Sequence, residues 1–324
     1  MRAIVIDRLM EPADLRVSET AAPEPGEGEL TIAVRAAACN FSDLLMMRGK
    51  YQEKPPLPFV LGREAAGEVV AVGPGVPDAR VGQHVFALTG TGAFAEQATA
   101  PADLAQAMPE GMPFDEAAAL PIVYPTSYAG LVFRGALQPG ETLLVHAAAG
   151  ATGLAAVQIG RALGARVIAT AGGADKVAVA RDAGADVCID SRDGDFVEVV
   201  KRETDGRGAD VIFDPVGGDV FDRSLKCIAW NGRLVVVGFA SGTIPEVKAN
   251  RIMLKNIAVT GLHWPAYREH EPAKMAEAFA GCAELYATGA IEPLIGMRVS
   301  LEGVGEALAA LGERRTVGKV IVEI

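Results

Sequence analysis

Up to about residue 120 the apolar residues fall in short runs, "MRAIVID", "ELTIAVRAA", "AAGEVVAVG" and "HVFAL", separated by Gly and Pro. Runs of that length with such punctuation predict strands joined by turns, so this region reads as all-β. From about residue 141 the pattern changes. Apolar strand candidates "TLLVHAA", "ARVIATA", "DVCID", "ADVIFDPV", "RLVVVG" and "IAVTG" follow one another, and "TGLAAVQIGRAL" and "ADKVAVARDAG" between the first of them carry a helical spacing. Strands alternating with helices predict right-handed crossovers and a doubly wound parallel sheet. After about residue 265 come a long helical stretch, "PAKMAEAFAGCAELYATG", the run "LIGMRVS", a short helix "EGVGEALAAL" and a final strand "GKVIVEI". This tail is too small to fold alone and is expected to pack back onto the N-terminal β region. The expected organisation is an α/β chain in which residues 1–123 and 265–324 form one β-rich domain and residues 124–264 an inserted doubly wound domain.

Composition narrows the function classes. Half of the 324 residues are apolar, and 37 glycines and 19 prolines are spread along the chain, as in a folded protein rich in turns. The net charge of −11, with no long basic cluster, argues against a nucleic-acid partner, because phosphate backbones are bound mainly by Lys and Arg. The N-terminal "MRAIVIDRLM" carries Arg2, Asp7 and Arg8, so it reads as neither a signal peptide nor a membrane span; a cytoplasmic location and no membrane partner are expected. Cys39, Cys188, Cys227 and Cys282 lie far apart without a C-x-x-C pair, which suits reduced, buried thiols.

The first strand-to-helix junction reads "VHAAAGATGLAAVQIG". Gly150, Ala151, Thr152 and Gly153 there permit close backbone approach at the positive end of a helix, which is what a dinucleotide pyrophosphate requires. The second strand ends at Thr170 and Ala171 and runs into Gly172 and Gly173, with no acid at the place that would bind a ribose 2′-hydroxyl. Asp175 lies at about the right distance along the chain but beyond the glycines, where an acid more often starts a helix. Lys176 and Arg192 are candidate cations for a 2′-phosphate, and this charge pattern favours NADPH; the alternative is that both are solvated surface charges. His146, inside a strand, reads as a satisfied buried histidine.

Taken together, "NFSDLLMMRGKY", "LGREAAGEVVAVGPGV", "LPIVYPTSYAGL", "AAAGATG", "FDPVGGDVFDRSL", "GRLVVVGFASG" and "RRTVGKVIV" resemble, in order, the zinc-free quinone oxidoreductase branch of the medium-chain dehydrogenase/reductase superfamily, the branch of zeta-crystallin. The resemblance implies a GroES-like catalytic domain around an inserted Rossmann domain. It also aligns Asn40 with a zinc-ligand cysteine of the alcohol dehydrogenase relatives, leaving Cys39 one residue off, and Arg63 with a ligand histidine. An amide and a guanidinium are poor zinc ligands, so no metal is expected and Cys39 reads as packing.

By the same resemblance, Asn40, Asp43 and Tyr51 line the catalytic cleft, with Asn40 and Tyr51 able to bond ribose or acceptor oxygens and Tyr51 the candidate proton donor. For Asp43 a purely structural role stands equally open. Thr126 is similar to a residue at the nicotinamide end, Gly238 and Phe239 follow a strand where their backbone could hold the carboxamide, and Lys319 resembles a residue that reaches the cofactor. Ser191 stands where many relatives have a tyrosine near the cofactor phosphate. The implied function is NADPH-dependent hydride transfer to a quinone. The alternatives are reduction of an enoyl or alkenal double bond, and a non-catalytic NADPH-binding role like that of a crystallin. A homodimer through the edge of the Rossmann sheet, at about "NIAVTG", is implied as well.

Overall fold

The computed structural model describes all residues from Met1 to Ile324. The chain divides into two compact units, Met1–Ile122 with Pro293–Ile324, and Val123–Glu292.

The first unit is organised by the strand Glu29–Cys39. It is almost wholly buried and pairs antiparallel with Glu64–Val72, Gln97–Pro101 and the C-terminal strand Lys319–Glu323. A seven-stranded sheet results, and its outer members are Ile295–Ser300 at one end and His84–Leu88 followed by Ala105–Ala107 at the other. The first-third reading of this region as β-rich therefore holds, while Gln97–Pro101 and Ala105–Ala107 were too short to show a period. Gly67 in "AAGEVV" has a definite cause: a Cβ there would lie 2.0 Å from the Ala33 carbonyl oxygen, at an irregularity in the pairing of the two long strands. The core beneath the sheet joins Ile4, Val34, Leu44, Phe94 and Leu308 with Val320 and Val322, so the returning C-terminus supplies part of the same core.

The second unit is a six-stranded, wholly parallel sheet. Its spatial order is Val187–Asp190, Arg166–Ala171, Thr142–Val145, Ala209–Asp214, Ile228–Val236, Ala258–Gly261, which is third, second, first, fourth, fifth, sixth in the chain. That is the Rossmann order, with its switch point between Thr142–Val145 and Ala209–Asp214, and it agrees with all six strands expected from the sequence. The two expected helices lie at Ala151–Ala162 and Ala174–Asp182. His146 is buried between Thr170 Oγ1 at 3.0 Å and Ser224 Oγ at 2.8 Å, and burial pushes its pKa down to about 3, so it is a neutral tie between two strands and a helix.

One boundary needs correction. Residues 265–292, expected to pack with the catalytic domain, belong to the dinucleotide-binding unit. The helix Pro272–Ala287 lies against the helix Val123–Tyr128, where a Cβ on Gly281 would meet Tyr128 Cε2 at 2.6 Å. Trp264 packs on Phe279 at 6.2 Å between ring centroids, and Lys274 sits 5.7 Å over the Phe133 ring. The apolar stripe Met275, Ala278, Phe279, Cys282 was legible in the sequence, but a stripe does not name the surface it covers. Only the last part of the tail, from Pro293, returns to the β unit. No helix is long and apolar enough to cross a membrane.

Candidate functional site

In the first unit the chemistry gathers where three strands end. Asn40 follows the strand Glu29–Cys39 and caps the helix Phe41–Met47; Glu64 opens the strand Glu64–Val72, and Lys319 opens the C-terminal strand. The Lys319 ammonium donates to Glu64 Oε1 and, at 2.9 Å, to Asn40 Oδ1. Asn40 Nδ2 donates to Glu64 Oε1 at 2.8 Å and to the Ala38 carbonyl at 3.1 Å. The other Glu64 oxygen accepts from the Ile122 amide at 2.8 Å. Glu64 is 0% and Lys319 2% exposed, so this is a buried ion pair with its remaining sites hydrogen-bonded.

Two expectations change accordingly. Lys319 is not a solvated residue near the chain end: it is buried, and its ammonium donates to Glu64 and Asn40. Asn40 has both amide hydrogens spent, which leaves it only acceptor capacity toward a ligand.

Asp43 lies on the helix Phe41–Met47 and is fully buried; its Oδ2 accepts from the Asn40 amide at 2.7 Å, while Oδ1 has no partner. Burial, opposed by that hydrogen bond and by the charge on Arg63, raises its pKa to about 7. Arg63 precedes the strand Glu64–Val72 and is 8% exposed. Its Nη1 donates to the Tyr51 hydroxyl at 2.9 Å and its Nη2 to Glu53 at 2.8 Å. The structure thus brings Asn40, Asp43 and Tyr51 into one neighbourhood, linked through Glu64, Lys319 and Arg63. Cys39 is 2% exposed in the core, and burial, with Asp43 and Glu64 adding to it, pushes its thiol well up, so it is protonated packing.

In the second unit, Gly150 caps the helix Ala151–Ala162, and the amides of Ala151, Thr152 and Gly153 have no intrahelical acceptor. A Cβ on Gly153 would lie 2.3 Å from the Ala147 carbonyl oxygen, so only glycine lets this helix start so close to the loop. The loop itself turns through Ala147, at φ 51. Gly172 and Gly173 follow the second strand, and Arg192 packs against them: a Cβ on Gly173 would meet Arg192 Nη1 at 2.9 Å. Asp190 holds the two loops together by accepting from the Gly173 and Arg192 amides, each at 2.9 Å, and those two bonds lower its pKa. Lys176 lies in the first turn of the helix Ala174–Asp182, Thr126 is half-buried on the helix Val123–Tyr128, and Gly238 and Phe239 follow the strand Ile228–Val236. Phe239 lies against Gly217.

Residues 26–110 match the family described as alcohol dehydrogenase GroES-like domain, and residues 151–281 that described as zinc-binding dehydrogenase. The chain is 41% identical over 324 residues to a quinone oxidoreductase-like protein 2 homolog of Nematostella vectensis, covering 99% of this chain and 88% of that protein. A mycobacterial protein solved with NADPH superposes with a TM-score of 0.93 at 34% identity, and an Escherichia coli quinone oxidoreductase solved with NADPH with 0.90 at 32%; each comparison covers 100% of both chains. The chain belongs to the zinc-free quinone oxidoreductase branch of the medium-chain dehydrogenase/reductase superfamily.

The second family description implies a zinc ion, but this branch member's donors do not suit one. The carboxylate of Glu64 is taken by an ammonium, Asn40 offers an amide oxygen already bonded to that ammonium, and Arg63 offers a guanidinium. Nowhere do three His, Cys, Asp or Glu side chains converge to hold a metal.

Sequence reasoning overlooked Glu64 as the hub and Arg63 as the partner of Tyr51. The signal for the first was the Glu of "GREAAG", a lone acid beside a run of buried small residues.

The Asp43 carboxyl makes stability pH-dependent. Its folded pKa lies above the unfolded value of 3.8, so its contribution is full below about pH 4 and is lost as pH rises through about 7. Denaturant titrations across that range are expected to show wild-type stability falling relative to Asp43→Asn, by at most about 1.4 kcal/mol per pH unit. A difference that stays flat with pH would contradict the assignment.

Proposed function

We propose that the protein is an NADPH-dependent reductase that passes hydride to a quinone. That it is an oxidoreductase follows from its family; the choice of NADPH rests on one observation, the Arg192 guanidinium seated against Gly172 and Gly173 where the second strand ends without an acid. A 2′-phosphate there would meet a cation, with Lys176 on the adjoining helix turn as a second. The names and bound NADPH of the mycobacterial and Escherichia coli structures support the same reading. The helix N-terminus at Ala151, Thr152 and Gly153 would hold the pyrophosphate.

When bound, NADPH supplies hydride. Quinones suit a site whose donors do not suit zinc, because the charge that hydride leaves behind delocalises over the quinone ring and oxygens and needs no Lewis acid to form. Tyr51 is the residue that supplies the accompanying proton, being half-buried with a hydroxyl at the edge of the cluster.

The assay compares NADPH and NADH oxidation with 1,4-benzoquinone and with an enone, after dialysis against a chelator. Fast NADPH oxidation by the quinone is expected; turnover with the enone alone would move the protein to the double-bond reductases, and turnover with neither would favour a binding role. Arg192→Gln is expected to raise KM for NADPH by about 10- to 100-fold, the worth of one charged hydrogen bond, and to leave NADH nearly unchanged. Equal effects on both cofactors would remove Arg192 from the phosphate site.

We also infer a homodimer through the free edge of the strand Ala258–Gly261, the last in the parallel sheet. An unpaired edge is a liability unless covered, and a second copy related by a two-fold axis would pair it antiparallel. Apolar side chains near the neighbouring strand and helix support this: Trp230 is 66%, Met253 71% and Leu254 67% exposed, and Lys255 and Asn256 tie that helix end to Ile228 and Asn231. Sedimentation at the dimer mass is expected, with Trp230→Glu shifting the protein toward monomer; a wild-type monomer would refute the interface.

A further inference from the structure

Two of the six buried side-chain atoms that lack a hydrogen-bond partner, Asp43 Oδ1 and Arg63 Nε, lie in the cluster around Tyr51. Under-satisfied polar groups concentrate where function constrains the side chains, which marks Arg63 as more than a filler of the position it occupies.

Its placement is rigid. Gly62 has φ +97, and a Cβ there would lie 2.6 Å from the Phe94 amide nitrogen, so the backbone entering Arg63 has one available course. The Arg63 carbonyl is fixed by the Thr89 amide at 2.9 Å. The guanidinium then spreads its fork: Nη1 to the Tyr51 oxygen, Nη2 to Glu53, with its carbon 4.9 Å from the Tyr51 ring centroid. Glu53 is 41% exposed and reaches the solvent side.

We propose that Arg63 is the positioning residue of the proton-transfer step, holding the Tyr51 oxygen so that the phenol hydrogen is left for the reduced acceptor. The proposal rests on the reductase reading and on Tyr51 as its acid. Hydride addition leaves one negative charge on the acceptor. The Tyr51 O–H bond breaks, the proton bonds to the acceptor oxygen, and the electron pair stays on the Tyr51 oxygen beside the guanidinium. Water at the exposed Glu53 side returns a proton to Tyr51.

Three observations carry this. The Tyr51 oxygen accepts from Arg63, so its own hydrogen must point elsewhere. A fixed cation next to an oxygen that becomes negative is preorganised stabilisation. Coupling is also visible from the arginine side: burial disfavours the charge on Arg63, yet Tyr51 first, then Glu53 and Asp43, hold its pKa above the ordinary value. The charged groups facing the pair are Glu53 from the same loop and Asp43 from the helix Phe41–Met47. Lysine would keep the charge but not the two-pronged hold.

The test compares wild type, Arg63→Gln, Arg63→Lys, Tyr51→Phe and the double variant Tyr51→Phe/Arg63→Gln. Arg63→Gln is expected to lower kcat by about 10- to 100-fold, the cost of a misplaced reacting group, with KM for NADPH unchanged and the basic limb of the pH–rate profile moved to higher pH. Arg63→Lys recovers part of the loss. In the Tyr51→Phe background Arg63→Gln costs nothing further. Near-ultraviolet tyrosinate absorbance, read without cofactor or acceptor as the difference from Tyr51→Phe, rises at higher pH in Arg63→Gln than in wild type; if Arg63→Gln does not fold, the equally uncharged Arg63→Met carries the same comparison.

A loss of equal size in both backgrounds, or an unmoved limb and an unmoved tyrosinate signal, overturns the role of Arg63. Wild-type turnover by Tyr51→Phe instead removes Tyr51 as the acid, and this proposal with it. Absence of turnover in wild type with every acceptor refutes the reductase reading and the proton step, whatever the tyrosinate signal shows.

Discussion

The buried ion pair between Glu64 and Lys319 is the constraint on which the catalytic unit depends. Two charges with almost no exposure are tolerable only when paired and hydrogen-bonded, and every remaining partner is a fixed feature of the fold. Asn40 places the end of the longest strand, the Ile122 amide the last residue of the unit before the chain leaves it, and Lys319 the start of the strand on which the chain returns. Three segments remote in sequence are thus held to one carboxylate. The same commitments empty the position of metal-ligating capacity, so a structural need and a change of chemistry share one cause.

The other ligand-directed surface is built on backbone instead of charge. In the dinucleotide-binding unit, the absence of a side chain at Gly153 lets the helix start against Ala147, and the absence of one at Gly173 leaves room for Arg192. Asp190 spends its carboxylate on holding those loops together. A doubly wound sheet offers the strand ends at which such loops converge, which is why short stretches far apart in the sequence meet at one edge of it.

Much of this was legible in the sequence, for physical reasons that differ by element. The inner parallel strands Thr142–Val145, Arg166–Ala171 and Ala209–Asp214 are buried almost throughout, so they stand out as apolar runs whatever their neighbours. The strand Gln97–Pro101 is short and ends in proline, and a strand that borrows its definition from a partner cannot be seen without that partner. The helix Pro272–Ala287 displays its apolar stripe in the sequence, but size arguments say only that such a segment must pack and not against what, so its unit is decided by the fold. Among site residues, Asn40, Asp43 and Tyr51 were named from motif position and do share a neighbourhood. Glu64 and Lys319 are separated by 255 positions, and the pairing that defines both roles exists only in the folded sheet.

The most direct measurement is a double-mutant cycle on unfolding free energy with Lys319→Met, Glu64→Gln and the two combined. Removing one partner of a buried pair leaves the other uncompensated, so each single variant is expected to lose about 3–5 kcal/mol and the double variant far less than their sum. Single losses below about 1 kcal/mol that add in the double variant, the behaviour of a surface pair, would contradict the claim that this ion pair holds the catalytic unit together.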